Sequence, residues 1–443
     1  MIPTFRLSRL ALALALTLLA ALPARAIDIE AVTSPAGTTA WLVEDHSLPF
    51  VALELRFRGG TSLDAPGKRG AIHLMTALLE EGAGTRDAQA WAEEAERLAA
   101  EFDFDAGPDE VSVSARMLTE TRDRAVDLLH DALVAPRFDA DAIARVRAQV
   151  LSMIEADRRD PGALAGQTLR AALFGDHPYG SAPEGTADSV AALTRDDLLA
   201  ARDRVLARDR VVIAAVGDIT ASDLGALIDR LLAGLPDTGA PLPPRAQMDT
   251  TGGVTVVPFG GPQSLVLMAQ PGPKMDDPDF FPAYVANHIL GGGGFSSRLM
   301  EEVREKRGLT YGIATYLAPR DLAETWQGSF ASANEKVAEA IAVVRREWAR
   351  LAEGGVSDAE LTAAKTYLTG AYPLRFDGNG PIAAILAGMQ TAGLPIDYVN
   401  TRNTRIEAVS AEDVARVARR WLDPERLRFV VVGQPEGVES TAP

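Results

Sequence analysis

The hydrophobic pattern of the first half of the chain changes between a strand period and a helix period. Residues 39–60 are predicted to form two strands joined by a turn at Asp45–Pro49, because apolar residues occupy every second position from Val51 to Phe57. An almost wholly apolar run at 70–81 then has the length of about three helical turns. The same reasoning predicts helices at 87–101, 121–134 and 139–159, and strands at 112–118 and 211–217.

Two segments of the chain, 192–220 and 408–436, match each other without a gap at an offset of 216 residues. Each opens on the helix-capping pattern S/T-x-x-D. Each then ends in a buried strand followed by a glycine, Gly217 in the first and Gly433 in the second. A match of this length indicates an internal duplication.

The duplication predicts an α+β protein of two duplicated domains, each a mainly antiparallel sheet with helices packed on it. Residues 231–253 contain four prolines and little periodicity, which is typical of a semi-rigid linker. The predicted limits are 27–235 for the N-terminal domain, 236–253 for the Pro-rich linker and 254–443 for the C-terminal domain.

Residues 1–26 have the pattern of a secretory signal peptide, with Arg6 and Arg9 before an apolar run and cleavage expected after Ala26. The protein is therefore predicted to be exported, to the periplasm if the source is a bacterium with two membranes. No later stretch is apolar enough to predict a membrane span.

Composition narrows the possible partners. The chain carries 44 lysines and arginines against 61 aspartates and glutamates, a net charge of −17, which argues against nucleic acid. There is no cysteine, so an exported form would hold no disulfide and its stability would rest on the hydrophobic core.

The second half contains a more specific string, GGGGFSSRLMEEVREKRGLTYGIATY, at 291–316, and the first half contains HPYG at 177–180. Together with the duplication and the apolar helix, these motifs resemble the bacterial, two-domain branch of the pitrilysin/insulinase family, the inverzincin metallopeptidases. The likeness extends over essentially the whole chain after residue 26. It implies a family that binds zinc through an H-x-x-E-H helix and cleaves peptides.

The resemblance places the family's zinc-site positions on residues that do not suit the metal. The first zinc histidine falls on His73, the general-base glutamate on Thr76, the second histidine on Ala77 and the third ligand on Met153. A catalytic zinc needs three protein ligands and an open position for water. The chain alone is therefore predicted to bind no zinc and to have no catalytic residue. Glu155 would point away from Met153 on a helix and is a poor substitute.

Two residues of the second half match a different part of the family pattern. The resemblance implies that an arginine and a tyrosine hold the substrate, and we assign them to Arg298 in FSSRL and Tyr311 in GLTYG. Such donors can stabilise the oxyanion that forms on a scissile carbonyl. The hypothesis is a non-catalytic subunit of a heterodimeric zinc metallopeptidase, in which a homologous partner carries the zinc and a peptide is the substrate.

Three alternatives stay open at this point. The chain could be a peptide-binding or structural scaffold subunit with no peptidase role. It could be a free-standing hydrolase with rearranged ligands. A homodimer is also open, because a duplicated fold can always associate with itself.

Overall fold

The computed structural model describes residues 27–441, so the predicted signal peptide at 1–26 lies outside the described residues. The strands of the first half are β1 (Glu30–Thr33), β2 (Thr39–Glu44), β3 (Phe50–Arg58), β4 (Gly82–Ala83), β5 (Arg86–Asp87), β6 (Glu101–Ala106), β7 (Glu110–Leu118) and β8 (Val211–Gly217). Its helices are α1 (Ala71–Thr76), α2 (Ala88–Arg97), α3 (Arg122–Val134), α4 (Ala140–Asp157), α5 (Pro161–Phe174), α6 (Ala187–Ala191), α7 (Arg195–Val205) and α8 (Ala221–Leu232).

The second half repeats this order of elements in shorter form. Its strands are β9 (Gly253–Pro258), β10 (Gln263–Pro271), β11 (Ile313–Pro319), β12 (Glu324–Ala333) and β13 (Arg428–Gly433). Its α-helices are α9 (Phe280–Asn287), α10 (Val337–Gly354), α11 (Asp358–Gly370), α12 (Asn379–Thr391), α13 (Tyr398–Glu407) and α14 (Ala411–Trp421). Wider π-helical turns follow α9 at His288–Gly292 and occur again at Met300–Glu305.

The two main sheets have the same topology, which confirms the predicted α+β class and the duplication. The first sheet has the strand order β1-β2-β8-β3-β7-β6, and the second has the order β9-β13-β10-β12-β11. Apart from the additional strand β1, each position in one sheet has its counterpart in the other. The pairs β2–β8 and β9–β13 are parallel, and all other neighbours in these sheets are antiparallel.

The predicted helix caps form in both halves. The side chains of Thr194 and Ser410 each accept a hydrogen bond from the backbone N–H three residues on. In turn, the carboxylates of Asp197 and Asp413 accept a hydrogen bond from the backbone N–H of Thr194 and Ser410. These reciprocal boxes satisfy N–H groups that the first helical turn cannot pair. The repeated segments 192–220 and 408–436 therefore fold alike because they carry the same local signals.

The helix predicted over 70–81 is shorter than expected. The α-helical part, α1, ends at Thr76, and the following turns are closed by tighter bonds from Leu78 N–H to the Met75 carbonyl and from Leu79 N–H to the Thr76 carbonyl. Leu78 and Leu79 remain fully buried in the same core. The apolar run at 70–81 therefore reflects burial in the core and not one continuous α-helix.

Each half supplies one helix to the sheet of the other half. Helix α5 of the first half packs on β10 and β13, where its Leu169 joins a core with Ala269 and Val432. Helix α12 of the second half packs on β3 and β8, where its Leu386 joins a core with Ala52. The two α/β units are thus interlocked by a reciprocal exchange of helices.

The HPYG tetrapeptide at 177–180 helps to fix the two halves together. The His177 ring accepts a hydrogen bond from Tyr179 N–H at 3.1 Å and lies 3.0 Å from the carbonyl of Pro244. The buried Tyr179 hydroxyl contacts the Asp109 carboxylate and accepts a bond from Leu322 N–H at 3.0 Å. The tetrapeptide therefore joins the loop before β7, the loop before β12 and the segment between the two halves.

No helix or strand forms between Leu232 and Gly253, the described segment that contains the predicted linker. Ala246 N–H bonds to the Leu322 carbonyl at 2.9 Å, and Asp249 N–H bonds to the Leu173 carbonyl at 2.8 Å. The segment is therefore held against both halves. The domain limits given above stay predictions.

Among residues 27–441, none of the helices combines the length and the apolar character that crossing a membrane would require.

Replacement of Leu386 by Ala should lower the free energy of unfolding by about 2–5 kcal/mol, because it leaves a cavity between α12 and the first sheet. The measurement is urea unfolding followed by tryptophan fluorescence. The matched control is Leu374→Ala, because Leu374 is 79% exposed and fully buried Leu386 is not. Equal midpoints for the two variants would contradict the assigned contact.

Candidate functional site

Helix α1 brings His73 to the position that the sequence assigned to the first metal ligand. Gly70 begins the helix with a φ of 91°, and the Asp64 carboxylate accepts bonds from the N–H groups of Gly70 at 2.8 Å and Ile72 at 2.9 Å. Arg69 pairs with the same carboxylate at 3.2 Å. The His73 imidazole is half-buried, and burial lowers its pKa, so the ring is neutral at pH 7.

The other predicted metal positions offer nothing that zinc would bind. Thr76 is buried and Ala77 has no ligand atom, while the Met153 side chain is 40% exposed on α4. Glu155 pairs instead with Arg158 at 3.1 Å and with Arg159 at 3.0 Å. Within the described chain, 27–441, no three histidine or carboxylate side chains come together as a metal site. The residues present therefore do not fit a catalytic zinc ion.

Arg298 lies in the interior of the second half. Its guanidinium makes a two-pronged ion pair with Glu360, with Nε–Oε1 at 2.6 Å and Nη2–Oε2 at 3.0 Å, and also donates to the Gly355 carbonyl at 2.8 Å. The residue is 8% exposed. This location disagrees with the substrate-contacting role predicted for Arg298, because a side chain held in this way fastens α11 to the preceding loop and does not reach solvent.

A different arginine accompanies Tyr311. The Arg304 guanidinium carbon lies 4.9 Å from the centre of the Tyr311 ring and 4.5 Å from the centre of the Phe295 ring. Tyr311 is 87% exposed and Phe295 is 69% exposed. We call Phe295, Arg304 and Tyr311 the aromatic–arginine cluster. Contact with two rings orients the planar guanidinium. Its Nε lies 3.3 Å from the Glu305 carboxylate, and its side chain is 25% exposed, so donors of the terminal amino groups remain for a ligand.

The backbone under the cluster is held by buried polar contacts. The Glu302 carboxylate binds Lys306 at 2.7 Å and Arg307 at 2.6 Å, and these two cations lower the pKa of Glu302 to about 2. The Thr310 hydroxyl lies 2.6 Å from the Ala331 carbonyl and accepts a bond from Gly312 N–H at 3.1 Å. The loop is therefore fixed on both sides of Tyr311, while its side chain projects into solvent.

The cluster can donate hydrogen bonds to a carbonyl oxygen or to an anion. The Tyr311 hydroxyl supplies one donor and the Arg304 guanidinium supplies several in a fixed plane. The sequence prediction named Tyr311 and did not name Arg304, although both belong to the quoted string at 291–316. The exposed apolar rings are the signal that the sequence alone could not show.

Comparison with known proteins gives consistent results for both halves. Residues 40–187 match the family model described as insulinase (peptidase family M16), and residues 192–368 match the model described as peptidase M16 inactive domain. The chain is 26% identical over 390 residues to the "non-peptidase homolog YmxG" of Helicobacter pylori, which covers 88% of this chain and 90% of that protein. It is 28% identical over 387 residues to an uncharacterized zinc protease of Streptomyces coelicolor, with 84% and 83% covered.

A solved structure is also similar in fold and in sequence. The crystal structure of a peptidase M16 inactive domain from Pseudomonas fluorescens has a TM-score of 0.86 and 31% sequence identity to this chain. The match covers 93% of this chain and 100% of that one. The similarity therefore includes both halves and their arrangement.

Arg298 and Arg304 should respond differently to replacement by Ala. Arg298→Ala should lower the free energy of unfolding by about 3 kcal/mol, because it removes the cation from the Glu360 carboxylate and leaves that group only its bonds from Ser357. Arg304→Ala should cost about 1 kcal/mol, the usual value of a cation–π contact, because both rings that Arg304 contacts are exposed. Urea unfolding of both variants tests this. A larger loss for Arg304→Ala would refute the assignment.

The ion pair between Arg298 and Glu360 also predicts a pH dependence. The Arg298 guanidinium lowers the pKa of Glu360 to about 2, below its ordinary value of 4.5. A lowered pKa stabilises the fold above pH 4.5, and this stabilisation is lost as the pH falls toward 2. The stability difference between wild type and Glu360→Gln should therefore shrink over that interval in thermal melts. A difference that stayed constant from pH 5 to pH 2 would contradict the pairing.

Proposed function

Because this chain belongs to peptidase family M16, the insulinase family, we propose that it is a non-catalytic subunit that pairs with a zinc-bearing homologue to form an active peptidase. The observation that carries the proposal is a contrast between the halves. The metal positions around His73 lack ligands, whereas the second half holds a partly exposed Arg304 against the exposed Tyr311 ring. The relative from Helicobacter pylori that is named a non-peptidase homologue supports the non-catalytic part.

In this proposal the partner supplies the zinc ion, its ligands and the general base. This chain contributes the aromatic–arginine cluster, with Arg304 in the role that the sequence assigned to Arg298. The Tyr311 hydroxyl and the Arg304 guanidinium donate hydrogen bonds to the oxygen of the scissile carbonyl. They then stabilise the negative charge that develops on it, because donors fixed in advance need no rearrangement during the reaction.

The exposed rings of the cluster suit this task in a further way. Phe295 and Tyr311 both contact the Arg304 guanidinium, so the donors keep one plane before the substrate arrives. Apolar surface around a donor also excludes water when the partner and peptide close over it, which strengthens the hydrogen bonds. The proposal keeps the predicted export of the protein, so the pair would act outside the cytoplasm.

The test mixes this chain with a homologue from the same source that carries H-x-x-E-H, and assays peptide cleavage. The mixture should cleave and neither chain alone should. Tyr311→Phe or Arg304→Ala in this chain should each lower the rate by about 10²–10³, the usual loss for one oxyanion donor. The matched control is Tyr367→Phe, because Tyr367 is also exposed, at 63%, but its ring stacks on His288 and not on Arg304.

The outcomes separate the parts of the proposal. Equal cleavage with and without this chain would rule out the pairing. Unchanged cleavage by both cluster variants would remove their role while the pairing stood. Peptide binding without cleavage in any mixture would favour the scaffold alternative, and one zinc per isolated chain in a metal analysis would favour a free-standing hydrolase.

A further inference from the structure

A cavity of about 400 Å³ lies between the first sheet and the start of α12. Strands β3, β7 and β6 form its floor, and residues 378–381 form the facing wall. Neither His73 nor the aromatic–arginine cluster lines it. Its volume falls in the range of sites that hold a small molecule or a long side chain.

The floor of the cavity carries a buried carboxylate. Glu54 on β3 is 7% exposed, and its Oε1 accepts a hydrogen bond of 2.6 Å from the hydroxyl of Ser114 on β7. Among the described residues, its other oxygen, Oε2, accepts no hydrogen bond. Burial raises the pKa of Glu54, as expected for a carboxylate that lacks a full set of partners. The geometry therefore leaves one carboxyl oxygen of Glu54 free to bind a donor that enters the cavity.

The positive charges nearest to Glu54 are engaged elsewhere. Arg56 binds Glu110 at 2.9 Å and the Ala384 carbonyl at 3.2 Å. Arg116 lies over the Phe50 ring, 4.7 Å from its centre, and its Nη1 is 3.6 Å from the Glu101 carboxylate. No cation of the described chain therefore makes a hydrogen bond to Glu54.

The rim adds further negative charge. Glu101 and Asp103 stand exposed on the edge strand β6 and line the cavity together with Glu54, against one lining cation, Arg116. The chain as a whole has a net charge of −17. Both the local and the overall field therefore attract a positively charged ligand.

The corresponding cavity of the second half provides an internal comparison. It has a volume of about 440 Å³ and lies on β10, β12 and β11, the counterparts of β3, β7 and β6. Its lining includes Leu265, Ser329 and Ala331 and no charged residue. The acidic floor is therefore specific to the first half and is not a general property of this end of the sheet.

We propose that the cavity over Glu54 binds a basic side chain, lysine or arginine, of a peptide. Phe50, Ala52 and Pro381 provide apolar walls for the aliphatic stem. The charged head then reaches Oε2 of Glu54 at the floor, where a charge-assisted hydrogen bond replaces contact with water. This inference rests on one part of the proposed function, that the ligand is a peptide. It concerns the binding of that peptide and not its cleavage.

The test measures binding to the isolated full chain by fluorescence anisotropy. The probes are labelled, end-blocked nonapeptides of alanine, serine and valine that differ only in the central residue, which is lysine, norleucine or glutamate. The lysine peptide should bind about tenfold tighter than the norleucine peptide, as one hydrogen bond to a charged group allows, and the glutamate peptide should bind most weakly.

Glu54→Gln should bind the lysine and norleucine peptides equally, because glutamine keeps the shape and can still accept the bond from Ser114. The control Glu155→Gln removes the same charge from an exposed residue outside the cavity and should keep the tenfold preference. Equal binding of the two peptides to the wild type, or an unchanged preference in Glu54→Gln, would overturn the inference.

A second measurement uses only the wild-type protein, so the inference can be tested even if Glu54→Gln does not fold. A carbodiimide joins the lysine amine of the bound peptide to a neighbouring carboxyl with loss of water, and mass spectrometry locates the new amide. Cross-links at Glu54, Glu101 or Asp103 support the site, whereas cross-links spread over other surface acids oppose it. Because no zinc-bearing partner is present, failure here leaves the result of the cleavage assay unaffected.

Discussion

Apolar side chains on one face of each main sheet must be removed from water. In this chain, that face of each sheet is covered by a helix from the opposite half. Helix α5 shields the second sheet and α12 shields the first, so neither half has a complete core without the other. Tyr179 and the segment between the halves strengthen this arrangement with polar contacts. The relative position of every candidate site therefore depends on the exchange of two helices.

Much of the fold could be predicted because its signals are local. The alternation in residues 39–60, the two capping boxes and the repeat at an offset of 216 residues all lie within short stretches or in direct comparison of stretches. The exchange of α5 and α12 could not be predicted, because the amino-acid sequence of a helix shows which of its faces is apolar but not which sheet that face will pack against. For the same reason the apolar run at 70–81 predicted too long a helix, because burial and helical period produce similar patterns there.

The candidate site was predictable only in part. The family resemblance assigned the degenerate metal positions residue by residue. The structure adds that Thr76 is buried, that Met153 is exposed and that partial burial lowers the pKa of His73. Arg298 and Arg304 look alike in sequence, and what separates them is Glu360, which lies 62 positions beyond Arg298 and binds it. A partner so distant in sequence cannot be read from one chain. The exposed cluster around Arg304 appears only when the rings are placed in space.

The exchange of helices also means that the first sheet is synthesised well before the helix that covers it. The first sheet is complete in sequence once β8 ends at Gly217, but its covering helix ends only at Thr391, about 170 residues later. At roughly 5–20 residues per second, the ribosome needs about 10–35 seconds to deliver that helix. During this interval Ala52, Ala214 and Val216 lack their native cover. The nascent first half therefore passes through a period in which an apolar sheet face is open to chaperones or to other chains.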